Sequence, residues 1–227
     1  MKDKVIIVSG GFGVLGRAVG QAAIEAGACV ALIGHGRPEE IAPHDRLMAI
    51  GGVDLEDLAP TTRAFEAVAA RWNKIDGLAN IAGGFRWQTL EGGDLAVWPD
   101  LFRMNVLTAA TTMKAGLPFL RAARGAIVNV AAAAAQDAKA GMGAYAASKS
   151  GVLRLTESAA EELKDAGVRV NAILPTIIDT PRNRKDMPNA DFTRWAQPDQ
   201  IARTILFLLS DDASAITGAE LLIASRS

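Results

Sequence analysis

Seven short runs rich in β-branched residues, spaced by longer alanine-rich stretches of helical periodicity, constrain this chain more than any other feature. The runs are Val5 to Val8, Cys29 to Ile33, Leu47 to Ile50, Gly77 to Asn80, Ala126 to Val130, Arg169 to Leu174 and Glu220 to Ala224. Nearly continuous apolar runs belong to strands covered on both faces, and parallel neighbours require a helical crossover between them. The rhythm therefore predicts an α/β fold: one doubly wound domain spanning residues 1–227, built on a parallel sheet of about seven strands. The clearest helix lies between Ser150 and Asp165. There Val152, Leu155, Ala159 and Leu163 form one stripe, Glu161, Glu162 and Lys164 stay polar, and Gly167 ends the element.

Composition narrows what such a domain can bind. With 24 basic against 25 acidic side chains and a net charge of −1, the chain lacks the basic footprint of a nucleic-acid or membrane-surface binder, so a small-molecule partner is expected. No apolar run approaches the roughly 18–20 residues that span a bilayer, and the first residues enter a strand without a cleavage region, which predicts a cytoplasmic protein. The lone Cys29, with only His35 and His44 as imidazoles, supplies neither an internal disulfide nor a structural metal site. One stretch breaks the β-α rhythm. Pro175 to Pro198 carries four prolines together with Asn183, Asn189 and Asp191, and reads as a substrate loop or lid within the domain.

Directly after the first strand comes Ser9-Gly10-Gly11-Phe12-Gly13-Val14-Leu15-Gly16, which opens a helical pattern. Glycines let backbone approach a pyrophosphate, and the helix N-terminus aims N–H groups at it, so this is a Rossmann-type phosphate turn; tight packing is the competing explanation. The second strand ends in Gly34-His35-Gly36-Arg37, where a carboxylate would take the ribose hydroxyls of NAD(H). Gly34 repels no 2′-phosphate and His35 and Arg37 can attract one, which predicts NADP(H) as the preferred cofactor with NAD(H) possible. Asp54, after the third strand, could accept from the adenine amino group or simply form a turn.

The chemical end is carried by Tyr145, the sole tyrosine, and Lys149, at i and i+4 on one helix face. An ammonium beside a phenol favours phenolate, so Lys149 is expected to lower the Tyr145 pKa from about 10 toward the range useful for proton exchange with a carbonyl or hydroxyl.

Five features in order now resemble the short-chain dehydrogenase/reductase family from Lys4 to Ala224. They are the glycine turn, Asn80-Ile81-Ala82-Gly83, Asn105 in a helix beginning near Leu101, Tyr145-x-x-x-Lys149, and Val170-Asn171-Ala172-Ile173-Leu174-Pro175. The resemblance implies that Tyr145 is the general acid/base, that Lys149 tunes it and holds the nicotinamide ribose, and that Asn105 anchors a water relay to Lys149. It also implies that Ser9, Asn80, Ala82, Gly83 and Pro175 line the cofactor, that Thr180 meets its carboxamide, and that the chain forms a homodimer or homotetramer through the helices containing Asn105 and Tyr145.

Two departures stand out. Val14 occupies a position where the family places glycine. Ala132 stands thirteen residues before Tyr145, where the family places a catalytic serine; losing one oxyanion donor costs about 10²–10³-fold, with Gln136 the nearest replacement. The run from Leu174 to Trp195 is similar to the loop of the dihydropteridine reductases, a serine-less branch of the same family, which predicts hydride transfer to a small conjugated C=N or C=O acceptor such as a quinonoid dihydropterin. The alternatives are a general carbonyl or 3-oxoacyl-type reductase and a non-catalytic NADP(H)-binding sensor. Phe85, Trp87, Met187, Phe192 and Trp195 are expected to form an aromatic wall over a flat substrate, with Ala132 beside it, or else to be ordinary core. Arg182, Arg184 and Lys185 would bind an anionic substrate group or face solvent.

Overall fold

A computed structural model describes residues 1–224 of the chain. The strands are β1 Val5–Ser9, β2 Cys29–Ile33, β3 Leu47–Ile50, β4 Gly77–Asn80, β5 Ala126–Val130, β6 Arg169–Pro175 and β7 Glu220–Ile223. They form one parallel sheet in the order β3-β2-β1-β4-β5-β6-β7. The boundaries follow the sequence runs to within a residue; the central strands are covered on both faces, while the edge strands β3 and β7 are only partly covered. Val5 and Ile7 of β1 enter one core layer and Ile6 and Val8 the other, the period-2 alternation of a strand.

Helices cover both faces. On one side α1 (Val14–Glu25) and α7 (Pro198–Leu209) bury Leu15, Val19, Ala23, Ile201 and Ile205. On the other, α2 (Leu58–Trp72), α4 (Thr108–Ala123) and α5 (Gly143–Glu162) close over Phe65, Val68, Met113, Leu120 and Ala159. Phe65 is wholly buried and packs against Gly116, where a Cβ would lie 2.9 Å from its ring. Truncating Phe65 to Ala would cost about 3–5 kcal/mol. The short α3 (Val97–Phe102) runs into α4 through a π turn, Arg103–Leu107, so the helix bearing Asn105 starts four residues ahead of the Leu101 expected from sequence. Helix α5 begins at Gly143, so the helical face of Tyr145 and Lys149 and the stripe from Ser150 onward belong to one element.

Stitching the sheet to its helices is a buried polar ladder. Asn80 donates to Asn129 Oδ1 at 2.9 Å and accepts from Thr112 at 2.6 Å, and Asn129 donates to Thr156 at 2.9 Å. All four side chains are buried and hydrogen-bonded, so they rigidify the centre of the sheet at no desolvation penalty. Strand order reverses between β1 and β4. In open α/β sheets the crevice at such a reversal, at the carboxyl ends of the strands, is where ligands bind. The segment 175–198 is internally organised, with α6 (Pro181–Asp186), a 3-10 turn at Phe192–Arg194 and a bridge between Ile178 and Ala196. Among the described residues, no helix is long and apolar enough to cross a membrane.

Candidate active site

The glycine turn sits at the β1 side of the reversal. Gly10 has φ +66°, and a Cβ there would lie 2.7 Å from the Ala82 amide nitrogen. At Gly16 a Cβ would run into the Gly10 carbonyl oxygen and stand 2.7 Å from the Gly11 Cα. These positions admit only hydrogen, which brings the turn and the start of α1 into backbone contact. The Gly13 N–H closes the turn on Gly10 O at 3.1 Å. No side chain caps α1 and no acid stands in its first turn, so the N–H groups beginning at Val14 and Leu15 face outward for an anion. An uncapped helix end behind a glycine-only turn fits a dinucleotide pyrophosphate. Exposed Val14 replaces the family glycine without disturbing the turn.

Around this turn most side chains are already engaged. Ser9 Oγ accepts from the Ile81 and Ala82 N–H groups at 3.1 and 3.3 Å, and Asn80 belongs to the polar ladder. Both side chains hold the β1 and β4 ends together, so these residues meet the crevice through their backbone. The Phe12 ring lies over Gly36, where a Cβ would run into it, and Arg17 Nε donates to Phe12 O. At the end of β2, Gly34 is buried while His35 and Arg37 are exposed. His35 Nε2 is 3.9 Å from Asp54 Oδ1, which also accepts from the Glu56 N–H at 3.0 Å, so Asp54 does form a turn.

At the chemical end, Tyr145 and Lys149 project from one face of α5. Lys149 is 5% exposed and its Nζ donates to Val130 O at 2.8 Å. A Cβ on Gly83 would stand 3.2 Å from that Nζ and 2.5 Å from Asn105 Oδ1, so the glycine after β4, the π turn and α5 converge here. Asn105 accepts from Gly84 N–H at 2.9 Å and donates to Gly84 O at 3.1 Å and to Ser148 Oγ at 2.9 Å; Ser148 in turn donates to Tyr145 O at 2.7 Å. The Asn105 amide is therefore consumed in fixing the Gly83-Gly84 turn against α5. The clip is held in a π turn, a feature common at functional sites. The Phe85 ring stands edge-on to Tyr145, centroids 4.8 Å apart. Burial pushes the Tyr145 phenol up to about 12 and pulls Lys149 down to about 8. The expected lowering of the phenol is thus reversed, because no ion pair forms between the two groups and desolvation of the charged form dominates.

The family model described as enoyl-(acyl carrier protein) reductase matches residues 13–225. D-threitol dehydrogenase of Mycolicibacterium smegmatis is 35% identical over 239 residues, covering 98% of this chain and 92% of that protein. The chain belongs to the short-chain dehydrogenase/reductase family. As a member it is an NAD(P)-dependent oxidoreductase acting on small molecules. Among solved structures of this family, a 3-ketoacyl-(acyl-carrier-protein) reductase from Brucella melitensis, complexed with NADH, superposes with TM-score 0.88 at 26% identity, over 98% of this chain and 97% of that one. A short-chain oxidoreductase from Pseudomonas aeruginosa, described as containing an atypical catalytic centre, superposes with TM-score 0.90 at 26% identity, over 97% and 95%.

Against the family pattern, three further expectations are decided. Gln136, the proposed stand-in for serine, donates to Glu220 at 3.1 Å and is turned toward β7. Trp195 is 5% exposed and packs tilted against Phe192, centroids 4.7 Å apart, with the Arg184 guanidinium 4.8 Å over the Phe192 ring, so it is the loop's own core, the second of its two readings from sequence. Arg184 pairs with Asp179 through two bonds of 2.6 and 2.7 Å, holding that carboxyl below its usual range, and Arg182 lies 3.7 Å from Asp186. Arg184 is thus engaged within the loop, and Arg182 faces solvent, in line with the solvated reading of these cations. Thr180 caps α6, accepting from Asn183 N–H at 3.1 Å, which leaves its own proton to donate; Pro175 is buried at the end of β6 and Met187 is half-buried in the loop. Sequence reasoning missed Ser148 and Asn129. Both were legible as polar residues at positions whose neighbours are apolar or catalytic, Asn129 in the middle of the run Ala126–Val130 and Ser148 between Tyr145 and Lys149.

Proposed function

We propose that the protein interconverts a ketone and a secondary alcohol with a nicotinamide dinucleotide, and that Tyr145 carries the proton. The observation behind this reading is the convergence of Tyr145, Lys149, Gly83 and Asn105 beside an uncapped glycine turn. Gly10, Gly13, Gly16 and the N–H groups of Val14 and Leu15 would hold the pyrophosphate, with Phe12, Ala82, Gly83 and Pro175 along the crevice, Lys149 toward the ribose and Thr180 toward the carboxamide. Bound there, the cofactor supplies or takes up the hydride. Tyr145, with its phenol held near 12, stays protonated at neutral pH and can give that proton to a carbonyl oxygen, which suits the reductive direction. Gly34, His35 and Arg37 favour NADP(H), with Asp54 3.9 Å from His35 as the opposing charge. Exposed Trp98, Phe102 and Leu107 on the helix of Asn105 support a homodimer or homotetramer through that face. The segment 175–198 serves as the substrate loop of a single domain.

Ala132 favours a second reading. With no hydroxyl to help an alkoxide form, a conjugated acceptor that develops little charge, such as a quinonoid dihydropterin, would be reduced more readily than a simple ketone. Following reduced-nicotinamide absorbance over a ketone panel and a quinonoid dihydropterin, with Ala132→Ser alongside, separates the two. Ketone turnover raised by about 10²-fold in Ala132→Ser supports the first reading; fast dihydropterin turnover that the serine does not improve supports the second.

A further inference from the structure

The chain between β4 and α3 is pinned at two places, and Phe85 stands between them. Ahead of it, Gly84 donates its N–H to Asn105 Oδ1 at 2.9 Å and accepts from Asn105 Nδ2 at 3.1 Å. Gly84 also lies so close to Met104 that a Cβ there would run into its Sδ. Behind it, the Trp87 indole N–H donates to Ala140 O at 3.1 Å, and the Gln88 N–H donates to Gly141 O at 2.9 Å. The Phe85 ring on this strap is 45% exposed, yet it meets Tyr145 edge-on, with centroids 4.8 Å apart and planes at 89°. Tyr145 itself is half-buried, and among the described residues its hydroxyl makes no hydrogen bond. Ser148 Oγ turns to the Tyr145 carbonyl O at 2.7 Å and Lys149 Nζ to Val130 O at 2.8 Å, so neither holds the phenol. The charged groups on the neighbouring elements pair with one another: Asp100 with Arg103 on α3 and the π turn, Asp137 with Lys139 after β5, and Asp179 with Arg184 after β6. Arg86, Glu91 and Asp94 of the strap are exposed. Burial is accordingly what pushes the phenol up to about 12.

We propose that Phe85 is a positioning residue for proton transfer: pinned at both ends of its strap, the ring fixes the plane of the Tyr145 phenol and keeps water off it, so that the hydroxyl holds its proton until a carbonyl oxygen takes it. The proposal rests on Tyr145 carrying the proton. With no polar contact on the hydroxyl, the plane of the phenol is set by what packs on it, and Phe85 is the aromatic ring that does so. A phenolate forming beneath an apolar ring loses hydration that nothing replaces, whereas one laid bare by a smaller side chain regains it.

Tyr145 is the only tyrosine in the chain, so the near-ultraviolet absorbance of phenolate reports on it alone. The test is an alkaline titration of the wild type, Phe85→Leu and Phe85→Ala, with circular dichroism recording unfolding at each pH. The wild-type phenol is expected to keep its proton up to about 12 or until the chain unfolds. In Phe85→Ala phenolate should appear about one pH unit earlier and ahead of unfolding, and Phe85→Leu, which keeps an apolar cover, should fall between the two. The same displacement is expected in the pH profile of kcat/KM for cyclohexanol oxidation, whose rise follows loss of the phenolic proton. A residue that only packs would lower the melting temperature and leave both titrations in place. Phenolate appearing at the same pH in the wild type and Phe85→Ala, whether before unfolding or with it, overturns the proposal, and so does an unmoved oxidation profile. Turnover that survives Tyr145→Phe overturns the underlying reading, and the absorbance titration, which needs no turnover, still decides whether Phe85 governs the phenol.

Discussion

The two sides of the crevice are made of different material. On the β1 side, the glycine turn is almost wholly backbone: Gly10 and Gly16 leave no room for a Cβ, and the end of α1 is left uncapped. Around Tyr145 the site is made of side chains, with Asn105 and Ser148 clipping the Gly84 turn to α5, Phe85 standing on the phenol and Trp87 lying on Gly141. A backbone site tolerates few substitutions and binds what every dinucleotide presents, a pyrophosphate. A side-chain site can be rebuilt residue by residue. The first therefore carries the class of reaction, and the second carries the choice of substrate.

Lys149 is where the two sides meet, and its removal has the largest expected effect. Lys149→Ala should lower kcat/KM by about 10²–10⁴-fold and weaken cofactor binding as well, read by steady-state rates and by fluorescence titration of the reduced cofactor. Loss of turnover with cofactor affinity intact would place Lys149 on the substrate side alone. Gly16→Val acts on the other side only. Forcing side-chain atoms against Gly10 and Gly11 costs about 1–3 kcal/mol, or roughly 5–150-fold if felt in full in cofactor Kd, and leaves the substrate selectivity of the residual activity unchanged.

Asn129→Leu acts from beneath both sides. It leaves Asn80 Nδ2 only the 3.5 Å contact to Ala109 O and takes the Asn129 donor from Thr156 Oγ1, which keeps its bond to Val152 O; the change should cost about 1–3 kcal/mol of stability in urea unfolding while leaving substrate selectivity as it is. The least local effect is a tilt with pH. The unfolded chain keeps a proton on Lys149 up to its ordinary 10.5 and the native chain only to about 8, so stability rises with pH between those values. Tyr145 acts oppositely: the unfolded chain loses its phenolic proton near 10 and the native chain near 12, so stability falls as pH climbs through that interval. Urea unfolding at a series of pH values, with Lys149→Met and Tyr145→Phe, should remove the rise and the fall respectively.

Much of the fold was legible because burial on both faces writes itself into a strand as an unbroken apolar run, as in Val5–Ser9 and Cys29–Ile33. The start of the helix bearing Asn105 was not, since Val97–Leu101 precedes it with only a short apolar turn. Within the site, residue types at fixed spacing located Tyr145, Lys149 and the glycine turn. What local sequence does not encode is which partner a side chain chooses when several are near. Gln136 turned to Glu220, Asn105 to Gly84 and Arg184 to Asp179, each a contact made by tertiary packing. The direction of the Tyr145 shift was missed for the same reason: spacing shows that Lys149 is near but not that its ammonium donates to Val130 O while the phenol is desolvated beneath Phe85.

Whether Tyr145 is the proton donor is decided by reduced-nicotinamide oxidation with cyclohexanone in the wild type and in Tyr145→Phe, with cofactor Kd measured on both. Turnover by the wild type, a loss of about 10³-fold or more in Tyr145→Phe, and the same cofactor affinity in the two proteins are expected. Equal rates in both proteins would refute that role, because the proton would then come from a group other than Tyr145.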